Sequence, residues 1–347
     1  MQALYSTTAR QGRGKSPLLN ELQRVYEVLD DAALIERLKQ YRWTGRPGYS
    51  AKALWRSYLA GFVLNLPSTN ALIRRLQDDA GLANLCGFQR LPSRWTFNRF
   101  VSRLSRHLNL VEQVLASATA EIREHLHGAF GYMMAVDASV ISTHSNPNKK
   151  VISDPEASWT VKAYDIQGKA NWQFGYKLHL VCDADTELPI TAIVTTAKVN
   201  DTTQLLPLLA KAHSELGLTP RYVLADRGYD SDSNCMGIVH EYAARPIIKR
   251  RKMKRDDLRR RKPWQPLRSR FNMNAPQWKQ AYSHRQSVER VFSRLKGHLS
   301  LGQHCRRGLA KVSLHCLASV LVMQVEAVAK FRRGAIEEIR GCTRKVA

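Results

Sequence analysis

Cysteine is sparse and scattered in this 347-residue chain: Cys86, Cys182, Cys235, Cys305, Cys316 and Cys342 form no Cys-x2-Cys unit. That pattern indicates neither a disulfide framework nor a zinc ribbon, and it fits reducing surroundings. His304-Cys305 and His315-Cys316 do not have zinc-ligand spacing either. No Gly-x-Gly-x2-Gly follows a strand-like run, which removes a dinucleotide fold. Gly-Arg-Gly-Lys-Ser at 12–16 imitates a phosphate loop, but Ala9 stands where the first glycine belongs and no strand precedes it. The opening MQALYSTTARQGRGKSP lacks the apolar run of a signal peptide, and neither a lipidation motif nor an amphipathic anchor is present. A cytoplasmic setting without a membrane is therefore expected. The most hydrophobic stretch, 309–328, carries Lys311, His315 and Glu326 and reads as a buried helix. Acids are also scarce, with 29 Asp and Glu against 54 Lys and Arg, a net charge of +25. A surplus of that size favours a polyanionic partner, with nucleic acid the first choice.

What is present divides by periodicity. Residues 1–19 are polar and expected to be flexible. From 20 to 127 apolar residues step at three and four, the helical pattern. Ser68 and Ser93, each after a proline, sit where helices open. The segment from Ser93 to Leu104 mixes Arg94, Arg99 and Arg103 with Trp95, Phe97 and Phe100, a composition that suits DNA contact or a basic face over an ordinary core. Near residue 128 the pattern changes. Strands are expected at 131–141, 174–183, 188–197, 221–231 (running into Asp226, with Gly228 turning the chain) and 245–249, with helices near 202–216 and 232–243 and a polar loop over 142–171. Asp201 is expected to cap the first of those helices, and Asp183, Asp185 and Asp230 to serve turns. The fold class is α/β: a helical N-terminal domain, then a mixed sheet with flanking helices over 128–335, and a basic tail at 336–347.

The stretch AYSHRQSVERVFSRLKGHL, 281–299, reads as one helix opened by Ser283 with Gln286 as a capping box. Val288, Val291, Phe292, Leu295 and Leu299 form its apolar stripe. Tyr282, Arg285, Glu289 and Lys296 fall within roughly 40° of one line on another face. Before it lies a basic insert, about 249–280. Its segment 249–271 holds a dozen Lys and Arg, beginning Lys249, Arg250, Arg251 and Lys252, against Asp256 and Asp257, and it is expected to touch phosphates.

Two further carboxylates, Asp137 and Asp226, come late in strand-like runs. Three acids gathered from two strand ends and a helix repel unless cations neutralise them. Hard oxygen ligands suit Mg²⁺ or Mn²⁺, and a pair of such ions is suited to phosphodiester chemistry.

Asp137 in AVDASVI, Asp226 in LADRGYDS and the spacing Tyr282-x2-Arg285-x3-Glu289-x6-Lys296 together resemble bacterial insertion-sequence transposases of the Asp-Asp-Glu type. Residues 175–201 look like that family's middle strands, and the segment around Pro92–Phe100 looks like its preceding helical domain. The resemblance implies a ribonuclease H-like core. It also implies that Asp137, Asp226 and Glu289 bind two Mg²⁺ or Mn²⁺ ions, and that Arg285, Lys296 and Tyr282 contact end phosphates. The implied partners are transposon-end and target DNA, with a homodimer in the synaptic complex and no small-molecule substrate. The implied reaction is nicking at the element's ends followed by attack of the 3′-hydroxyl on target DNA. Ser142-Thr143-His144 departs from the acidic or small residue common after the first aspartate, and the insert is short and basic rather than a large β-domain. Two other readings remain open: a nuclease that cuts without joining, and a non-catalytic DNA-binding remnant.

Overall fold

A computed structural model describes residues 17–40, 48–164, 167–250 and 273–340. The N-terminal part is helical: α1 (Pro17–Glu27), α2 (Ala32–Lys39), α3 (Ala51–Val63), α4 (Thr69–Asp78), α5 (Ala80–Cys86), α6 (Arg94–Leu104) and α7 (Leu108–His125). The caps explain the boundaries. Ser50, Ser68 and Ser93 each accept a backbone N–H from the third residue on, Ala53, Ala71 and Thr96. Asp79 caps α5 through Leu82 N–H, and Gly87, with φ of 93°, closes it in the left-handed region.

The sheet contains β1 (Met133–Ser142), β2 (Ser158–Tyr164), β3 (Ala170–Asp183), β4 (Pro189–Thr196), β5 (Tyr222–Ala225) and β6 (Arg245–Ile248). Its order is β2-β3-β1-β5-β6, with β4 also on β3. The pairs β1/β3, β2/β3 and β3/β4 are antiparallel, whereas β1/β5 and β5/β6 are parallel. This is the mixed sheet with helices that the sequence led us to expect. Helices α8 (Leu205–Leu216) and α9 (Asp232–Tyr242) connect its parallel half. After them come α10 (Pro276–Ser283), α11 (Gln286–His298) and α12 (Leu309–Arg332).

Three expectations need correction. The loop over 142–171 contains β2, which pairs with the first half of the long β3, where Trp159 faces Phe174 and Val161 faces Trp172. The single helix over 281–299 is two helices. Between them His284 and Arg285 donate to Ala281 and Tyr282, the i→i−3 bonds of a tightened turn. Ser283 caps nothing: it ends α10, and its hydroxyl donates to Gln280 O at 2.6 Å. Asp201 is not the cap of the helical segment that begins there, because Asn200 accepts the Thr202 N–H at 3.1 Å. Asp201 instead pairs with Lys177 of β3 at 2.8 Å.

Helix α12 is long and apolar enough to cross a membrane, yet its apolar stretch is buried inside the protein. It packs on α3 and α7 of the helical part and on β4 of the sheet. Gln324 pins this junction, donating to Thr119 Oγ1 at 2.6 Å and to Pro189 O at 2.8 Å. The helices and the sheet therefore share one continuous core.

Candidate active site

Register creates the site. Val136 of β1 is the parallel partner of Ala225 of β5. The next residue on each chain is an aspartate, Asp137 and Asp226, and adjacent strands lie about 4.8 Å apart. Both residues are extended and follow paired neighbours, so alternation turns both carboxylates to the same face. Each is held by local backbone. Asp137 Oδ1 accepts from Ala138 N at 2.8 Å, and Asp226 Oδ1 accepts from Gly228 N at 2.7 Å.

Helix α11 covers that face. Val288, Val291 and Leu295 are fully buried beneath it. Ser287 Oγ lies 3.7 Å from Cys182 Sγ on β3, and Cys182 faces Ala135, two residues before Asp137. Glu187, in the turn between β3 and β4, fastens the helix from below: Arg290 Nε donates to it at 2.6 Å and Arg294 lies 3.5 Å from it. Nothing in the sequence pattern pointed to Glu187, because its partners lie more than a hundred residues away.

Glu289 emerges on the exposed side of α11, and Arg285 Nη2 donates to its Oε1 at 2.6 Å. Burial pushes the Asp137 carboxyl up to about 7, and the negative charges of Asp226 and Glu289 add to the rise, while the Ala138 N–H and Arg285 oppose it. Asp226, Glu289 and Arg285 thus all act electrostatically on Asp137. Among the described residues, however, no three His, Cys, Asp or Glu side chains stand close enough to grip one ion together. Glu289 is engaged by Arg285 instead. The donor set still fits a divalent cation: it is all carboxylate oxygen, the first carboxyl is destabilised in its charged form, and one cation would offset the repulsion.

The predicted DNA-contact residues group in part. Tyr282 stacks on Trp278 with ring centres 4.9 Å apart, and both Lys249 Nζ and the Arg285 guanidinium lie 5.7 Å from the Tyr282 ring centre. Lys296 is two turns along α11 from Glu289 and is partly buried. Arg250 is partly buried just after β6. Arg251, Lys252 and the rest of the basic run to residue 272 lie outside the described residues, as do residues 1–16 and 341–347.

Sequence reasoning missed a polar cluster on the opposite face of β3. Lys177 and His179 are buried there; Lys177 pairs with Asp201, and His179 shares a hydrogen bond with Thr195 at 2.8 Å. Burial lowers His179 to about 4. It also missed the exposed Trp159 and Trp172, because the strand that carries one of them was read as loop.

The mixed sheet thus carries two neighbouring aspartates beneath a glutamate-bearing helix. The family model described as "Transposase DDE domain" matches residues 129–324, more than half the chain, and a second, "Transposase domain (DUF772)", matches residues 11–103. The chain belongs to the DDE-domain transposase family. A relative from Burkholderia cepacia, a putative transposase for insertion sequence element IS402, is 42% identical over 84 residues, 22% of this chain. That match spans 39% of the relative's own length. A cryo-EM structure of a piggyBac transposase synaptic complex with hairpin DNA aligns over 95% of this chain and 81% of that one, with a TM-score of 0.48 and 11% identity. Membership of the DDE family implies dependence on a divalent metal.

Proposed function

We propose that this chain is an insertion-sequence transposase that cuts DNA at the ends of its element and joins the freed 3′-hydroxyl to target DNA. The observation that supports this most is the Val136–Ala225 register, which sets Asp137 beside Asp226 inside the family-matched segment. Asp137, Asp226 and Glu289 would hold two Mg²⁺ or Mn²⁺ ions, which supply a cationic centre for the nucleophile and the leaving oxygen at a phosphodiester.

The chain's own residues do the rest. The sheet ladder and the Ala138 and Gly228 N–H groups fix the two aspartates. Arg285 neutralises Glu289 until the acid is needed, and then presents its guanidinium to phosphate beside Tyr282 and Lys249. Lys296 and Arg250 extend this cationic track along the backbone of the element's end, and Arg251 and Lys252, next in sequence, are assigned to phosphate as well. A net charge of +25 provides the general attraction. The working unit is a homodimer bridging two ends, acting on nucleoid DNA in the cytoplasm.

The test is a strand-transfer assay on DNA carrying the inverted repeats that flank the gene, with Mg²⁺. Cleaved ends joined to target DNA are expected. Cleavage without joining would assign the chain to the nucleases, and binding without either would make it a remnant.

A further inference from the structure

Tyr229 follows Asp226 by one tight turn, Arg227–Tyr229, and its ring is among the largest fully buried side chains, at 1% exposure. Its backbone has little freedom. Tyr229 N–H donates to Asp226 O at 3.2 Å, Asn234 Nδ2 donates to Tyr229 O at 2.9 Å, and Thr202 Oγ1 donates to the preceding Gly228 O at 2.6 Å. Asn234 also reaches Thr202 O at 3.0 Å, so α9, the turn after Asp226 and the segment at Asp201 form one braced unit.

Within this unit the Tyr229 hydroxyl has no hydrogen-bond partner among the described residues. A buried phenol normally finds one, and leaving it without costs stability. Burial first, and then the charges of Asp137, Asp201 and Asp226, hold its proton on. The hydroxyl is therefore a fixed, neutral donor within electrostatic reach of both strand aspartates, yet bonded to neither. A phenylalanine would fill the same apolar space without an orphaned oxygen, so packing does not account for the hydroxyl.

We infer that Tyr229 is a positioning residue: its hydroxyl donates a hydrogen bond into the water shell of a divalent cation held by Asp137 and Asp226. This rests on the metal reading above and deepens it. Groups around a metal's direct ligands orient those ligands and the coordinated water, and their loss typically weakens metal binding by about 10–100-fold.

The test uses the full-length chain without DNA and Mn²⁺ as the probe. Free Mn²⁺ is followed by electron paramagnetic resonance, and thermal unfolding is recorded for the metal-free protein. In Tyr229→Phe, Mn²⁺ affinity is expected to fall by about tenfold or more. The metal-free melting temperature should stay level or rise, because an unpartnered buried hydroxyl has been removed. Asp226→Asn should lose the binding altogether. Equal Mn²⁺ affinity in wild type and Tyr229→Phe would overturn the inference and leave the metal site standing. A metal-free Tyr229→Phe protein that melts clearly lower would also overturn it, since the hydroxyl would then have a structural partner. Wild-type protein without Asp226-dependent Mn²⁺ binding would remove the metal reading itself.

Discussion

Asp137 and Asp226 lie 89 positions apart in the chain, yet each stands one residue beyond a paired neighbour, Val136 on β1 and Ala225 on β5. The parallel ladder, and no direct bond between the two acids, sets them side by side. Their placement therefore depends on strand register, and a one-residue slip would turn one of them to the opposite face of the sheet.

Gly175 guards the other edge of β1, its antiparallel pairing with β3. It faces Ser142 across β1 and β3, and a Cβ at Gly175 would come within 2.1 Å of the Ile141 carbonyl oxygen. Backbone on both sides leaves little room to adjust. Gly175→Ala is expected to lower stability by about 1–3 kcal/mol or more, read as a lower urea midpoint, and to reduce activity in the protein that remains folded. An unchanged midpoint would show that β1 and β3 can part locally at no cost.

Arg285 is assigned two partners, Glu289 in the protein alone and phosphate in the complex. Arg285→Ala should weaken binding to element-end DNA, and the slope of log affinity against log salt should become shallower by about 1. Fluorescence anisotropy across a salt series measures this. A parallel line with the wild-type slope would place Arg285 away from the backbone.

His304 ties stability to pH. Burial, then Arg306 and His144, lower it from 6.5 to about 4. The unfolded chain therefore binds this proton at a higher pH than the folded one does. The stabilising contribution is fully present above about 6.5 and is lost as pH falls toward 4. Between those limits the denaturant midpoint of wild type should fall more steeply than that of His304→Gln, which has nothing to protonate there. Parallel curves for the two proteins would contradict this assignment.

Much of this arrangement was legible in the residues. Apolar runs ending at Asp137 and Asp226 marked the strands, and the stripe Val288, Val291, Leu295 marked the buried face of the glutamate helix, because burial imposes a period on sequence. Ser68 and Ser93 announced helix starts through their own side chains. What was hidden depended on distant partners or small changes in backbone geometry. Strand β2 exists because β3 is long enough to pair with it, which no local propensity records. The break at His284–Arg285 comes from a shift to i→i−3 bonding in a run whose spacing reads as continuous helix. Asp201 yielded the cap to Asn200 one position earlier and found Lys177, 24 residues back, instead. No pattern in the residues singled out Tyr229, whose hydroxyl is buried without a partner among the described residues.

The most direct measurement compares wild type with Asp226→Asn on labelled element-end DNA in Mg²⁺, scoring cleavage and binding in the same samples. The account predicts that cleavage falls to background while DNA affinity holds within about twofold, since a surface cationic track supplies the binding. Cleavage by Asp226→Asn at the wild-type rate would contradict a catalytic centre built on the Asp137–Asp226 pair.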